Sequence, residues 1–154
     1  MTQSDLISHN SSFKSPPPTG NLLVLGKTIA AYKLWHDWLK NFPKTSRFTL
    51  GIRLDQIFLE LLEILATAQY LPKDKKLKPA IKSIKKIDLL KFYLRLCWEM
   101  KLFNDNKFRD LALKIEEIGR LAYAWKIGLE KTSPPTARTE NKIDSGQPQS
   151  ANCR

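Results

Sequence analysis

RFTLGIRLDQIFLELLEILATAQY, residues 47–70, decides the fold. Arg53, Gln56, Glu60, Glu63 and Thr67 recur at helical spacing and form one narrow polar stripe. Leu50, Leu54, Ile57, Phe58, Leu61, Leu62, Ile64 and Leu65 occupy the rest of the cylinder, so the segment is a helix covered on more than one side. A helix of this kind sits inside a bundle, and its neighbours in sequence must supply the cover.

Working toward the N-terminus, Pro43 ends a preceding helix, because proline restricts the residue before it and cannot donate to the helical ladder. That helix is expected over about 27–41, with Ile29, Tyr32, Trp35, Leu39 and Phe42 on one stripe. Thr45 and Ser46 are candidate N-caps for the 47–70 helix, since their hydroxyls can accept from first-turn amides. Toward the C-terminus, a lysine-rich linker at 71–78 leads to Pro79, suited to the first turn of a third helix running to about residue 103. This helix carries two apolar stripes: Ile87, Leu90, Leu94 and Cys97 on one, and Leu89, Phe92, Leu96, Met100 and Phe103 on the other. Asn104-Asp105-Asn106 makes a turn, with Asn106 as a candidate cap. A fourth helix over about 107–131 buries Phe108, Leu111, Ile115, Ile118, Ala122 and Trp125, with Asp110/Lys114 and Glu116/Arg120 at the favourable i, i+4 spacing. Short connections between four helices favour an up-and-down four-helix bundle, an all-α fold. The surplus apolar faces of the second and third helices argue for self-association, as in oligomers whose interfaces resemble a divided core.

The 154 residues fit one domain. Residues 1–20 are rich in Ser, Pro and Asn, and residues 132–154 are polar with few large apolar groups, so both are expected to be disordered tails flanking a 21–131 bundle. Lys and Arg number 26 against 15 Asp and Glu, a net charge of +11, and +10 of it lies in 21–131, where 22 basic residues face 12 acidic ones. The positive field is thus a property of the folded part and attracts polyanions. No run approaches the ~20 apolar residues of a membrane span, and the first residues lack the apolar core of a signal peptide. Cys97 and Cys153 give neither a disulfide framework nor a metal-ligand spacing, which places the chain in a reducing cytoplasm.

Lys73, Lys75, Lys76, Lys78, Lys82, Lys85 and Lys86 form the densest charge feature, with Asp74 the only acid among them. Lys78, Lys82 and Lys85 or Lys86 stand three or four apart, so a helix would project them together toward a phosphate backbone. Lysine is a point charge that carries little base-specific information, and binding there would be electrostatic and salt-dependent. The bland alternative is a solvated face that keeps the chain soluble. Arg47, Arg53, Arg95 and Arg120 lie among apolar residues, where a guanidinium needs a partner. Glu60, Glu63, Glu99, Glu116 and Glu117 are the candidate mates, and ion pairing within or between subunits competes with contact to a nucleic acid or a protein partner. Trp35, Trp38, Trp98 and Trp125 read as core, with Trp38 the candidate exception for base stacking.

Enzyme signatures are missing: there is no glycine-rich phosphate loop, no HExxH, no nucleophile elbow and no calcium-loop pattern. Glu60 and Glu63 are spaced like carboxylates of a di-iron bundle, but that site also needs Glu-x-x-His pairs, which neither His9 nor His36 supplies. No catalytic residue, metal or cofactor is expected. A small helical enzyme using Glu60 and Glu63 would require bound metal.

Three strings carry a family resemblance. NFPKTSRFTLG at 41–51 resembles the FPKxxRFTLG segment joining the first two helices in the four-helix-bundle family that contains the Avd accessory proteins of diversity-generating retroelements and the ribosomal RNA intervening-sequence proteins. LLKFYLRL at 89–96 and EIGRLAYAW at 117–125 are similar to that family's third- and fourth-helix patterns, except that Ala122-Tyr123-Ala124 stands where a further glycine pair is usual. The motif residues carried over as structural are Phe42, Pro43, Arg47, Phe48, Gly51, Gly119 and Trp125. The resemblance implies a homopentameric barrel with a basic surface. In the retroelement branch it implies a non-catalytic subunit that binds a reverse transcriptase and its template RNA, and possibly the cDNA, during mutagenic cDNA synthesis. In the intervening-sequence branch it implies a structural bundle with no polymerase partner.

Overall fold

The computed structural model describes residues 20–132, and the two segments expected to be tails lie outside that range apart from Gly20 and Thr132. The chain forms four long helices: α1 (Gly20–Leu39), α2 (Ile52–Ala68), α3 (Leu77–Glu99) and α4 (Asp105–Thr132). A short helical turn (Lys44–Ser46) and a π-helical turn (Arg47–Gly51) lead directly into α2, and a 3-10 turn (Lys73–Lys75) precedes α3. There is no strand among the described residues.

Each helix packs against its neighbours in the chain, and α4 closes the ring by packing on α1. The pairings run antiparallel: Trp35 meets Asp55 between α1 and α2, Glu60 meets Lys86 between α2 and α3, Lys91 meets Glu116 between α3 and α4, and Lys27 meets Glu117 between α4 and α1. This is an up-and-down four-helix bundle. The buried positions explain why it closes. On α3 they are Ala80, Ser83, Ile87, Leu90, Leu94 and Cys97, and on α4 Leu111, Ile115, Ile118, Ala122, Trp125 and Leu129. Both series alternate steps of three and four residues, the seam that lets nearly parallel helices interlock. The only buried polar side chains among the described residues are Asn21, Thr28 and Ser83. Thr28 and Ser83 donate to carbonyls of their own helices, Val24 O at 2.8 Å and Ala80 O at 2.7 Å, so burial leaves neither hydroxyl unsatisfied.

Helix α1 departs most from expectation. It starts by Gly20, well before residue 27, and its buried face is Asn21, Val24, Thr28, Ala31 and Trp35. Ile29, placed on the core stripe from sequence, is 40% exposed, because the small residues Thr28 and Ala31 are the ones that let α1 approach its neighbours. At the α2 start neither Thr45 nor Ser46 makes a side-chain cap. The π turn makes a cap redundant, since the helical path is already established when it reaches Ile52, whose amide donates back to Arg47 O. At the α4 start the cap is Asn104, whose Oδ1 accepts from the Lys107 amide at 2.8 Å, and Asn106 is already helical.

One end of the bundle is sealed by aromatic rings. Trp35 is fully buried, and Phe42 and Phe103 meet it edge-on at centroid distances of 5.7 and 6.0 Å, and meet each other at 5.4 Å. Phe103 reaches this position because α3 ends at Glu99 and Lys101 turns the backbone with φ 58°, folding the chain back over the end of the core. On sequence spacing Phe103 belonged with Phe92 and Met100. In the fold it is buried, while Phe92 and Met100 stay 58% and 52% exposed.

Candidate nucleic-acid interface

The lysine segment becomes a loop and a helix face. Lys73 and Lys75 lie on the exposed 3-10 turn, Lys76 is half-buried at the start of α3, and Lys78, Lys82 and Lys85 stand exposed on the outer side of α3. Helical spacing puts these last three within one narrow stripe opposite the buried face. Among the described residues none of the three forms an ion pair, so their charge is directed at solvent. Lys86 differs from the expectation. One turn along the flank, it reaches across to α2 and pairs with Glu60, because its side chain falls on the α2 side of the stripe. That hydrogen bond, ahead of the Lys86 and Arg53 charges, holds the Glu60 carboxyl below the ordinary glutamate range despite the opposing effect of burial. Six lysines of the expected seven are therefore open to a polyanion, and the seventh ties α3 to α2.

The arginines divide by position. Arg95 pairs with Glu99 on the solvent side of α3 at 2.8 Å, an exposed i, i+4 contact of small energetic weight. Arg53 lies 5.8 Å from the centre of the Tyr93 ring on α3. Arg120 is exposed and, among the described residues, has no carboxylate partner. The expected Glu116/Arg120 pair gives way to Lys91, which reaches Glu116 from α3 at 3.1 Å, and no ion pair joins Asp110 to Lys114. Arg47 pairs with no carboxylate among the described residues. Its Nη2 donates to the carbonyls of Lys40 at 2.7 Å and Phe42 at 2.9 Å, occupying acceptors left over where α1 ends. Its Nε is buried and finds no acceptor among the described residues. Arg47 thus fastens the α1–α2 connection.

The other motif residues differ in how closely the fold packs on them. A Cβ on Gly51 would stand 3.1 Å from Leu39 Cδ1 and 3.5 Å from Phe42, so the glycine lets the π turn approach the end of α1 without displacing the Leu39 side chain. At Gly119 a Cβ would stand 3.4 Å from the Lys91 ammonium and 3.5 Å from Ile87, an ordinary contact, so the packing of α3 on α4 does not itself demand a glycine there. Phe48 is different: it is 73% exposed and contributes nothing to the core. With Ile52 and Leu59 it leaves an apolar strip along the outer side of α2.

Among the tryptophans, Trp98 and not Trp38 is the exposed one, at 38%. It stacks on Phe108 at 5.0 Å and 22° and donates Nε1 to Asp105 at 2.9 Å, so its ring is already engaged on one side. Trp38 is half-buried against Phe103, with the Lys107 ammonium 5.8 Å from its ring. Trp125, read from the sequence as core, is buried as expected and also has a second position that the spacing did not suggest. It is 9% exposed and forms part of the wall of a cleft of about 740 Å³ at the end of the bundle where α1 begins, α4 finishes and the lysine loop passes. Lys73 and Lys76 stand at this cleft. No periodicity signals such a feature, because it is made by three segments distant in sequence.

Among the described residues no group of His, Cys, Asp and Glu is arranged to hold a metal ion. Glu60 is engaged by Lys86, and Cys97 is buried deeply enough to push its thiol up to about 11. No helix among the described residues is long and apolar enough to cross a membrane.

The profile of the bAvd-like family matches residues 22–128, which covers α2 and α3 and nearly all of α1 and α4. The chain belongs to the bAvd-like family. Comparison with curated proteins and with solved structures gives no match. Membership makes it an Avd-type accessory protein and agrees with the three motif strings, each of which lies inside the matched span.

Proposed function

We propose that this chain is a non-catalytic accessory subunit that holds nucleic acid for the reverse transcriptase of a diversity-generating retroelement, supporting template-RNA-primed, mutagenic cDNA synthesis. The observation that carries the reading is the outward stripe of Lys78, Lys82 and Lys85, which forms no ion pair among the described residues and which continues from the Lys73–Lys76 loop. Ammonium groups in this arrangement follow a phosphate chain without reading its bases, which suits a subunit that holds an RNA or cDNA while a partner performs chemistry. Membership of the bAvd-like family supports the retroelement reading over a structural bundle of the intervening-sequence type.

Self-association belongs to the same proposal. Phe48 on the π turn and Ile52 and Leu59 on α2, with Phe92 on α3 and Met100 just beyond it, leave apolar surface uncovered on the outside of the bundle, and a ring of subunits, a homopentamer, would bury it. Light scattering of the full chain then reports a multimer, and Phe92→Asp lowers its mass without loss of helicity.

The binding experiment titrates single-stranded template RNA at several salt concentrations with the wild type and with a Lys78→Gln/Lys82→Gln/Lys85→Gln variant. Removing three phosphate contacts makes the log–log salt slope shallower by about 2. An unchanged slope removes this face from the interface, and absence of binding even in dilute buffer removes the proposal. Copurification of a reverse transcriptase with the full chain from its native host tests the polymerase partnership separately.

A further inference from the structure

The cleft at the Trp125 end of the bundle has a composition that the lysine stripe alone does not explain. Its interior is mostly apolar, formed by Leu71 from the loop and Leu121, Trp125 and Leu129 from α4, with the polar Asn21 of α1 beside them, while Lys73 and Lys76 stand at it. Its volume, about 740 Å³, falls within the range of small-molecule sites, roughly 300–1,000 Å³. An apolar chamber beside two ammonium groups suits a ligand with a flat or greasy body and an anionic attachment. Several anions would satisfy two lysines, but here the positive charge continues past the cleft through Lys75, Lys78, Lys82 and Lys85, which is more than a single carboxylate or phosphate can use. The ligand that matches both features is a chain of phosphates carrying apolar-faced rings.

We infer that this cleft receives one or two unstacked bases of a single-stranded nucleic acid whose phosphates run over Lys73 and Lys76 and onto the outer face of α3. The inference rests on the nucleic-acid reading above and adds to it a preference for single strands, because a base inside a duplex is paired and stacked and cannot enter. The contact is tolerant of sequence, since every base offers an apolar face to indole and leucine.

The test separates base from phosphate. Fluorescence anisotropy of the full chain is measured with an oligodeoxythymidine of about a dozen nucleotides, a length within the usual range of single-strand sites, and with the same strand lacking its bases. The wild type is expected to prefer the base-bearing strand at least roughly fivefold, the lower bound for one stacked base. Gly128→Phe places a ring in the cleft wall at an exposed position where an added Cβ meets nothing within 4 Å, so the bundle tolerates it. This variant should lose the preference while keeping its salt slope. Gly26→Phe, equally unobstructed on α1 but outside the cleft, should keep both. Equal binding of the two strands by the wild type, or a preference that survives Gly128→Phe, overturns the inference while leaving the accessory-subunit proposal standing. Failure of the wild type to bind either strand overturns both.

Discussion

Replacing Phe103 by alanine should reveal how much of this bundle is held by its aromatic end. The ring is only 8% exposed and lies 6.0 Å from Trp35, 5.4 Å from Phe42 and 6.2 Å from Trp38, so its removal breaks three aromatic contacts at once and leaves a hole beside a fully buried tryptophan. Truncations of buried phenylalanine cost about 3–5 kcal/mol. The lower end applies, because Phe103 sits on a connection that can settle inward more readily than a helix can. A loss of about 3 kcal/mol is a large part of the ~5–15 kcal/mol that stabilises a typical domain, and at this chain length it lowers Tm by roughly 10 °C or more. Urea titration followed by circular dichroism at fixed protein concentration measures the loss, with Tyr70→Ala as the control, since Tyr70 is 89% exposed. A Phe103→Ala variant within about 1 kcal/mol of the wild type would show that the aromatic end is ornamental and that the back-folded turn at Lys101 has another purpose.

Three further outcomes follow from other contacts. Arg47→Met deprives the Lys40 and Phe42 carbonyls of their charged donor and should cost about 2 kcal/mol in urea, with Arg47→Lys recovering only part of it, because an ammonium lacks the guanidinium fork. Glu60 has a lowered pKa in the folded state, so its pairing with Lys86 adds stability above the ordinary glutamate range, and that stability is lost as the pH falls through the folded pKa. Glu60→Gln should therefore lower the urea midpoint at pH 7, with the difference from wild type shrinking as the pH is taken below the ordinary glutamate range. Cys97, buried with its thiol at about 11, should resist iodoacetamide at pH 8 in the folded protein and react in urea, as read by mass spectrometry of its peptide.

Much of the architecture was legible because a bundle core repeats at the helical period. Ile87, Leu90, Leu94 and Cys97 on α3, and Leu111, Ile115, Ile118, Ala122 and Trp125 on α4, are buried as their spacing implied. The failures have specific causes. On α1, Trp35 was placed correctly, but the first half was misjudged because its contact surface there includes small residues, Thr28 and Ala31, while the larger Ile29 faces outward, and hydrophobic size is a poor guide where close approach is what matters. Phe103 was assigned to a stripe that ends four residues before it, since nothing in Glu99–Asn104 announces a left-handed turn at a lysine. For the site, spacing found the outward lysines but could not tell Lys85 from Lys86, which differ by a quarter-turn and so by whether Glu60 is within reach. The Arg47 clamp was hidden because its acceptors are backbone carbonyls, which every sequence possesses.

The closure of α4 onto α1 has a topological consequence. Gly20 lies against Trp125, so the place where α1 begins and the last turns of α4 are neighbours at one pole of the bundle. A short bridge could join them, and the resulting circle could be reopened at the exposed Lys73–Lys75 turn without removing any helix from its place. Such a permuted chain would place its new ends amid the lysines, giving a direct way to tether a cargo, or a blocking group, beside the surface assigned to the phosphate chain.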